Sequence, residues 1–174
     1  MEHLHAPWRM EYIGGPQEAG CLFCRVLAAP PSRDLENLVV WRPDGGVVML
    51  NRFPYNSGHL MVAPAVHVGD LADLFPEQAQ HLFHATQVAL RVLRQELTPE
   101  GFNVGANIGR VAGAGMPDHV HLHVVPRWNG DTNFMPVVGE TKVVNEHLRR
   151  TAENLARAFA EGHDLTGGGV TDEV

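Results

Sequence analysis

The sequence has no apolar run of the roughly 18 residues that a membrane-spanning helix needs. Residues Met1–Arg9 also lack the apolar stretch of a secretory signal peptide. Basic residues are in the minority, since 13 Lys and Arg stand against 20 Asp and Glu and the net charge is −7. This balance argues against a long phosphate-backbone footprint. We therefore expect no nucleic-acid partner, no membrane partner and, by default, a cytoplasmic location.

Cysteine is scarce. The chain has only Cys21 and Cys24, in a C-x-x-C spacing. Two cysteines this close cannot form the disulfide framework of a small secreted domain. In a reducing compartment the spacing favours a metal-binding or redox pair over a structural disulfide. A thioredoxin-like role is disfavoured, since the sequence around the pair does not resemble that fold.

The bulk of the sequence is typical of a globular domain. Its 174 residues, 44% of them hydrophobic, can bury a sizeable core. It shows neither an internal repeat nor a linker, so we predict a single domain over residues 1–174. Within it, residues 1–20 are predicted to form an N-terminal arm and residues 162–174 a mobile tail.

The hydrophobic pattern predicts an α+β fold with a mainly antiparallel sheet, one long helix and a C-terminal helix. The long helix spans Pro76–Leu97, and its predicted apolar face comprises Ala79, Leu82, Phe83, Thr86, Leu90, Leu93 and Leu97. The last helix is predicted over about Val144–Ala160. The predicted strands are Val39–Trp41, Val47–Leu50, His59–Ala63, Gly101–Ile108 and Val120–Val125.

The densest chemical signal is the run His119-Val120-His121-Leu122-His123-Val124-Val125. In a strand, alternate side chains share a face, so the three imidazoles would lie together and the apolar residues would anchor the other face. Imidazoles can attack electrophiles, relay protons or bind metal. The alternatives are a three-histidine metal face and surface histidines without a role.

This run resembles the signature of the histidine triad (HIT) family, in which three histidines alternate with apolar residues. The resemblance extends to Leu50-Asn51-Arg52-x-Pro54 and Gly58-His59-Leu60, which are similar to the family's nucleoside-binding strands. It covers about residues 20–145 and implies a HIT-like fold. It also implies that Asn51 holds the ribose hydroxyls and that Asn107 lies on the phosphate side.

The resemblance implies a nucleotide substrate and a mechanism. His121 would attack the α-phosphate to form a nucleotidyl-histidine, with its other ring nitrogen held by an acceptor such as a backbone carbonyl. His123 would donate to phosphate oxygens or to the leaving group. Backbone N–H groups of the loop around Gly113, Gly115 and Met116 could cradle the phosphate. Many family members carry Gln or Ser where Gly115 stands, so a side-chain donor is missing.

Two further segments, Val124–Phe134 and Gly101–Gly105, resemble the branch that acts on diadenosine polyphosphates. The implied activity is transfer or hydrolysis of nucleotidyl groups from such compounds, with phosphate or water as acceptor. Trp128 would stack on a base or wall the site, or else belong to the core or an interface. The alternatives are a purine nucleoside phosphoramidase, a nucleotide-binding protein with little catalysis, and a metal-binding module.

The family also implies a use for the cysteines. Cys21, Cys24, His67 and His119 resemble a bacterial structural zinc site, in which four protein ligands leave no open position. His119 would then tie the strand to the N-terminal segment and not handle protons. His59 is expected only to order the turn before its strand. Family members commonly form two-fold dimers, so a homodimer is predicted.

Overall fold

The computed structural model describes residues 20–131 and 148–162. The predicted arm and tail lie outside the described residues except for Gly20 and Gly162, as does the first part of the predicted last helix. The single-domain boundaries and the homodimer therefore stay predictions.

One five-stranded sheet forms the centre of the molecule. Its strands are β1 (Val39–Trp41), β2 (Gly46–Leu50), β3 (Leu60–Pro64), β4 (Gly101–Gly105) and β5 (Leu122–Arg127). The order across the sheet is β1-β2-β3-β5-β4, and each neighbouring pair is antiparallel. The predicted α+β class with a mainly antiparallel sheet is confirmed.

Within the described residues, three α-helices accompany the sheet: α1 (Leu22–Ala28), α2 (Pro76–Leu97) and α3 (Leu148–Glu161). The bounds of α2 match the prediction. Pro76 occupies its first turn, the Phe75 N–H donates to Gln78 Oε1 at 2.9 Å, and Thr98 ends it in a left-handed conformation. Helix α1 was not predicted, because it is short. No helix among the described residues is long and apolar enough to cross a membrane.

The buried face of α2 differs from the predicted one. Phe83, assigned to the apolar face, is 56% exposed. Leu82, Thr86 and Leu93 of the predicted face are buried, and so are Ala85, Ala89 and Val92, which were not assigned to it. Ala85 and Ala89 are small, so they let the helix backbone approach the sheet closely. The buried stripe of the helix is centred on these alanines, and the bulky Phe83 lies outside it.

The two faces of the sheet have different cover. On one face, alternate strand residues such as Val48, Leu60 and Val124 pack with α2 and α3 in the larger core. On the other face, Val47, Met49 and Met61 pack with Phe23 and Val26 of α1 in a smaller core. Since Met61 lies opposite His123 in the β3–β5 register, the histidine face and α1 share this second side.

Strand β5 begins later than predicted, at Leu122 and not at Val120. The N–H of Val120 donates to the carbonyl of Val68 at 2.7 Å, so the chain there pairs with the segment after β3 instead of with β3 itself. Only His123 lies within the strand. His119 and His121 lie on the irregular stretch that leads into it.

A substitution of Gly58 tests the conformation and packing of the turn that leads into β3. Its φ is +73°, and an added Cβ would collide with the side chain of Leu97. We expect Gly58→Ala to lower the free energy of unfolding by about 2 to 3 kcal/mol, measured by urea denaturation. Gly101→Ala is the matched control, since nothing lies within 4 Å of its Cβ position. Equal stability of the two variants would contradict this account of the turn.

Candidate functional site

His121 has one ring nitrogen in a hydrogen bond, and the described residues give the other nitrogen no hydrogen-bond partner. Its Nδ1 lies 3.0 Å from the carbonyl oxygen of His119, and since a carbonyl can only accept, Nδ1 carries the proton. The Nε2 of a neutral ring then presents a lone pair. The residue is 5% exposed, and burial lowers its pKa below the ordinary value of histidine. The ring is therefore held as a neutral imidazole, the form that can act as a nucleophile.

His123 is oriented by a fourth histidine. The Tyr55 backbone N–H donates to His59 Nδ1 at 3.0 Å, so His59 carries its proton on Nε2. That Nε2–H donates to His123 Nδ1 at 2.9 Å. Because Nδ1 of His123 accepts, its own proton lies on Nε2. The centroids of the His121 and His123 rings are 4.8 Å apart, so a ring with an Nε2 lone pair neighbours a ring with an Nε2–H donor.

Burial controls the protonation of His123. Loss of solvent, with a smaller contribution from the neighbouring His121, lowers the pKa of His123 to about 4. The ring is thus neutral near pH 7 and can donate a hydrogen bond without carrying a charge. A phosphate bound nearby would favour the protonated form, which suits a group that donates to an anion.

A cleft of about 350 Å³ opens beside His123, between β4 and the loop after it. Asn107 lines this cleft, as the phosphate-side prediction requires, and its Nδ2 lies 3.5 Å from the carbonyl oxygen of Gly113. Gly105 lies directly opposite His123 in the β4–β5 register and brings no side chain into the space. The structure therefore brings His123 and Asn107 together at one opening, with the centroid of the His121 ring 4.8 Å from that of His123.

The other predicted nucleotide-binding residues are not among those that line this cleft: Asn51, Gly113, Gly115, Met116 and Trp128. Asn51 follows β2, where its N–H donates to the His59 carbonyl at 2.9 Å and its side-chain oxygen accepts from the Phe53 N–H. Gly113 has a positive φ of 86°, and Met116 packs on the smaller core. Trp128 follows the end of β5 and is not among the residues that line the 350 Å³ cleft. Its contact with a base stays a prediction.

The side chain of Arg127 forms an ion pair with a neighbouring carboxylate. Its Nε and Nη2 donate to Asp131 at 2.6 and 2.8 Å, and its Nη1 donates to Asn103 at 2.8 Å. Asp131 also accepts from the side chain of Asn56 at 2.8 Å. This network joins β4 and β5 to the turn before β3.

The four predicted metal ligands form a cluster. The ligand atoms of Cys21, Cys24, His67 and His119 all lie within 4.8 Å of one another. Cys21 Sγ is 3.2 Å and Cys24 Sγ is 3.6 Å from His119 Nδ1, and Cys24 Sγ is 3.2 Å from His67 Nδ1. A tetrahedral zinc with bonds of about 2.3 Å to sulfur and 2.0 Å to nitrogen separates such ligands by about 3.5 Å. The spacing fits that ion.

The groups around the four candidate ligands also fit a bound zinc ion. His119 Nε2 lies 2.9 Å from the carbonyl oxygen of Pro64, so its Nδ1 is left with a lone pair that faces the thiols. Burial, together with the adjacent Cys21, raises the pKa of the Cys24 thiol. A divalent cation would offset the effects of burial and of Cys21 on this pKa, because it stabilises the thiolate form of cysteine. The four side chains thus form a complete donor set that could hold a zinc ion.

The main residue that the sequence did not identify is His59. It was expected to order a turn, and it does so by accepting the Tyr55 N–H, but its other nitrogen reaches His123. A signal did exist. If β3 pairs antiparallel to β5 with Met61 opposite His123, then His59 lies two residues away on the same face. That register cannot be read from the sequence.

A protein-family model described as the HIT domain matches residues 32–130, more than half of the chain. The chain belongs to the HIT family. Among its relatives, this HIT protein is 39% identical over 166 residues to an AP-4-A phosphorylase of Mycobacterium tuberculosis, covering 92% of this chain and 85% of that protein. It is 28% identical to a bis(5'-nucleosyl)-tetraphosphatase (asymmetrical) of Schizosaccharomyces pombe, over 75% of this chain and 68% of that one.

Solved structures also match this HIT protein. A zinc-bound histidine triad family protein from Mycobacterium smegmatis superimposes with a TM-score of 0.63 and is 27% identical. The match covers 82% of this chain and 94% of that one. The fold that the sequence resemblance implied is therefore confirmed.

The lowered pKa of His123 predicts a pH dependence of stability. Between the ordinary histidine pKa of about 6.5 and the folded value of about 4, the unfolded chain binds a proton that the folded chain does not. This contribution is therefore complete above pH 6.5 and is lost as the pH falls towards 4. We expect wild type to lose more unfolding free energy than His123→Gln between pH 7 and 4.5, measured by urea denaturation.

Wild type and His123→Gln retain the same cysteines and candidate metal-ligand histidines, so acid release of a metal affects the stability of each alike. Parallel stability curves for the two proteins across this pH range would contradict the predicted burial of a neutral His123.

Proposed function

We propose that this protein transfers or hydrolyses nucleotidyl groups of dinucleoside polyphosphates, such as diadenosine tetraphosphate. The observation that carries the proposal is the proximity of two rings: His121, whose Nδ1–H is held by the His119 carbonyl and whose Nε2 has a lone pair, and His123, which has an Nε2–H. A nucleophile next to a hydrogen-bond donor suits attack on a phosphate. The 39% identity to an AP-4-A phosphorylase supports this substrate class.

The proposed reaction has two steps. His121 Nε2 attacks the α-phosphorus, the bond to the bridging oxygen breaks, and diadenosine tetraphosphate would release ATP and leave AMP on the ring. The modified imidazole is cationic, and its Nδ1–H would be held by the His119 carbonyl oxygen. Phosphate or water then attacks the phosphorus, the nitrogen–phosphorus bond breaks, and the neutral ring returns with ADP or AMP as the product.

The remaining residues would bind and orient the substrate. His123 Nε2–H would donate to a phosphate oxygen, and Asn107 would contact the phosphates from the cleft wall. Gly115 offers no side-chain donor, so backbone N–H groups of the loop from Gly113 to Met116 would provide the remaining hydrogen bonds. Asn51 is two residues beyond Met49, on the same side of the sheet, and would hold the ribose hydroxyls.

Cys21, Cys24, His67 and His119 would hold a zinc ion. Bound there, the ion would have four protein ligands and would act only as a structural link between the start of α1 and the segment that carries His121.

The product mixture tests the reaction. Purified protein is incubated with diadenosine tetraphosphate, with and without inorganic phosphate, and the nucleotides are separated by ion-exchange chromatography. ATP with ADP that depends on phosphate indicates phosphorolysis, and ATP with AMP indicates hydrolysis. We expect His121→Asn to lower turnover about a thousandfold or more while AMP still binds by calorimetry.

His84→Asn is the matched control, because His84 is an exposed histidine of α2 outside this site. Normal turnover in His121→Asn would refute the covalent mechanism. If wild type releases no nucleotide from diadenosine tetraphosphate but cleaves an AMP-linked amine, the phosphoramidase alternative is the correct one.

Metal analysis tests the second part of the proposal. We expect about one zinc per chain by elemental analysis, lost in Cys21→Ser with a lower melting temperature, and retained in His84→Asn. Zinc that stays in Cys21→Ser but leaves with His123→Ala would assign the metal to the histidine face instead.

A further inference from the structure

Phe23 occupies an unusual place between the two cysteines of the metal cluster. It lies in the first turn of α1, directly before Cys24, and is only 1% exposed. Its side chain belongs to the smaller core on the catalytic side of the sheet. A residue in this position is fixed from two directions, by core packing and by the cysteine ligands on either side of it.

The ring of Phe23 contacts two members of the histidine triad. Its centroid is 4.8 Å from that of His121 and 5.1 Å from that of His119, with tilts of 42° and 45°. These distances are typical of favourable aromatic pairs. One apolar ring therefore contacts both a metal ligand and the proposed nucleophile.

His121 needs such a contact, because its hydrogen bond alone does not fix the ring. The bond from Nδ1 to the His119 carbonyl opposes a flip of the ring, but a hydrogen bond tolerates a range of angles and the χ2 torsion of histidine has a broad energy minimum, so smaller rotations of the ring stay possible. The ring of His123, 4.8 Å away at 70°, limits this rotation through one contact. Phe23 supplies another that is rigid, since its own position is fixed by the core and the cysteines.

We propose that Phe23 is a positioning residue, which holds the His121 ring in line for attack and links that ring to the metal cluster. This inference rests on the proposed function, because it assumes that His121 is the nucleophile. A change of about 1 Å in the position of a reacting group can lower a rate about a hundredfold. The effect would fall on the chemical step and not on substrate binding, because Phe23 is almost completely buried.

The test removes the aromatic ring and keeps most of the apolar volume. In Phe23→Leu we expect kcat to fall about tenfold to a hundredfold, with KM within about twofold of wild type and zinc content unchanged. Phe23→Met provides the same test if the leucine variant does not fold. The matched control is Phe159→Leu, which removes an equally buried ring that stacks on Trp41, in the larger core. We expect it to lower the melting temperature but not kcat.

A spectroscopic measurement tests the same inference without substrate. In wild type, long-range ¹H–¹⁵N spectra at neutral pH should show His121 as a single tautomer with the proton on Nδ1. In Phe23→Leu the two ring-nitrogen shifts should move towards each other, as the ring samples other orientations. Phe159→Leu should match wild type.

Other outcomes would overturn the role of Phe23. They are an unchanged kcat with an unchanged His121 spectrum, a raised KM at constant kcat, which would indicate substrate contact, and loss of zinc in parallel with activity. If wild type does not act on any dinucleoside polyphosphate, the proposed function fails. The His121 spectrum would still decide whether Phe23 positions that ring.

Discussion

The hydrogen bond from His121 Nδ1 to the carbonyl oxygen of His119 is the constraint on which the proposed site depends. At 3.0 Å it fixes which nitrogen of His121 carries the proton, and so which one can attack. The same residue that offers this carbonyl uses its side chain to face Cys21 and Cys24. The orientation of the nucleophile and the integrity of the metal cluster therefore depend on one short piece of backbone just before β5.

The site as a whole is a set of buried imidazoles whose protons are assigned by their neighbours. A backbone N–H on His59 determines the proton of His123, and backbone carbonyls determine those of His119 and His121. Burial lowers the pKa of all three triad histidines, so the rings are uncharged at neutral pH. The three histidines of one motif thus have three different surroundings, which suit the proposed roles of metal ligand, nucleophile and hydrogen-bond donor.

Much of this could be predicted from the sequence because it depends on local pattern. The bounds of α2 follow from Pro76 and its helical periodicity, and β1 follows from a short apolar run beside a turn. The candidate metal ligands are predicted only through family resemblance, since Cys21 and Cys24 are about forty residues or more from the two histidines. Periodicity failed for Phe83, because local spacing cannot tell which of two adjacent helical faces the sheet will approach.

The sequence by itself determined that the fold is α+β, that His121 and His123 share a face, and that two cysteines could bind metal with two histidines. Only the tertiary structure decided that His59 reaches His123, that Phe23 lies against His121, and that β5 starts after His121. The reason is physical. Alternation and helical periodicity are properties of consecutive residues, whereas strand register and the packing of α1 depend on contacts between distant segments.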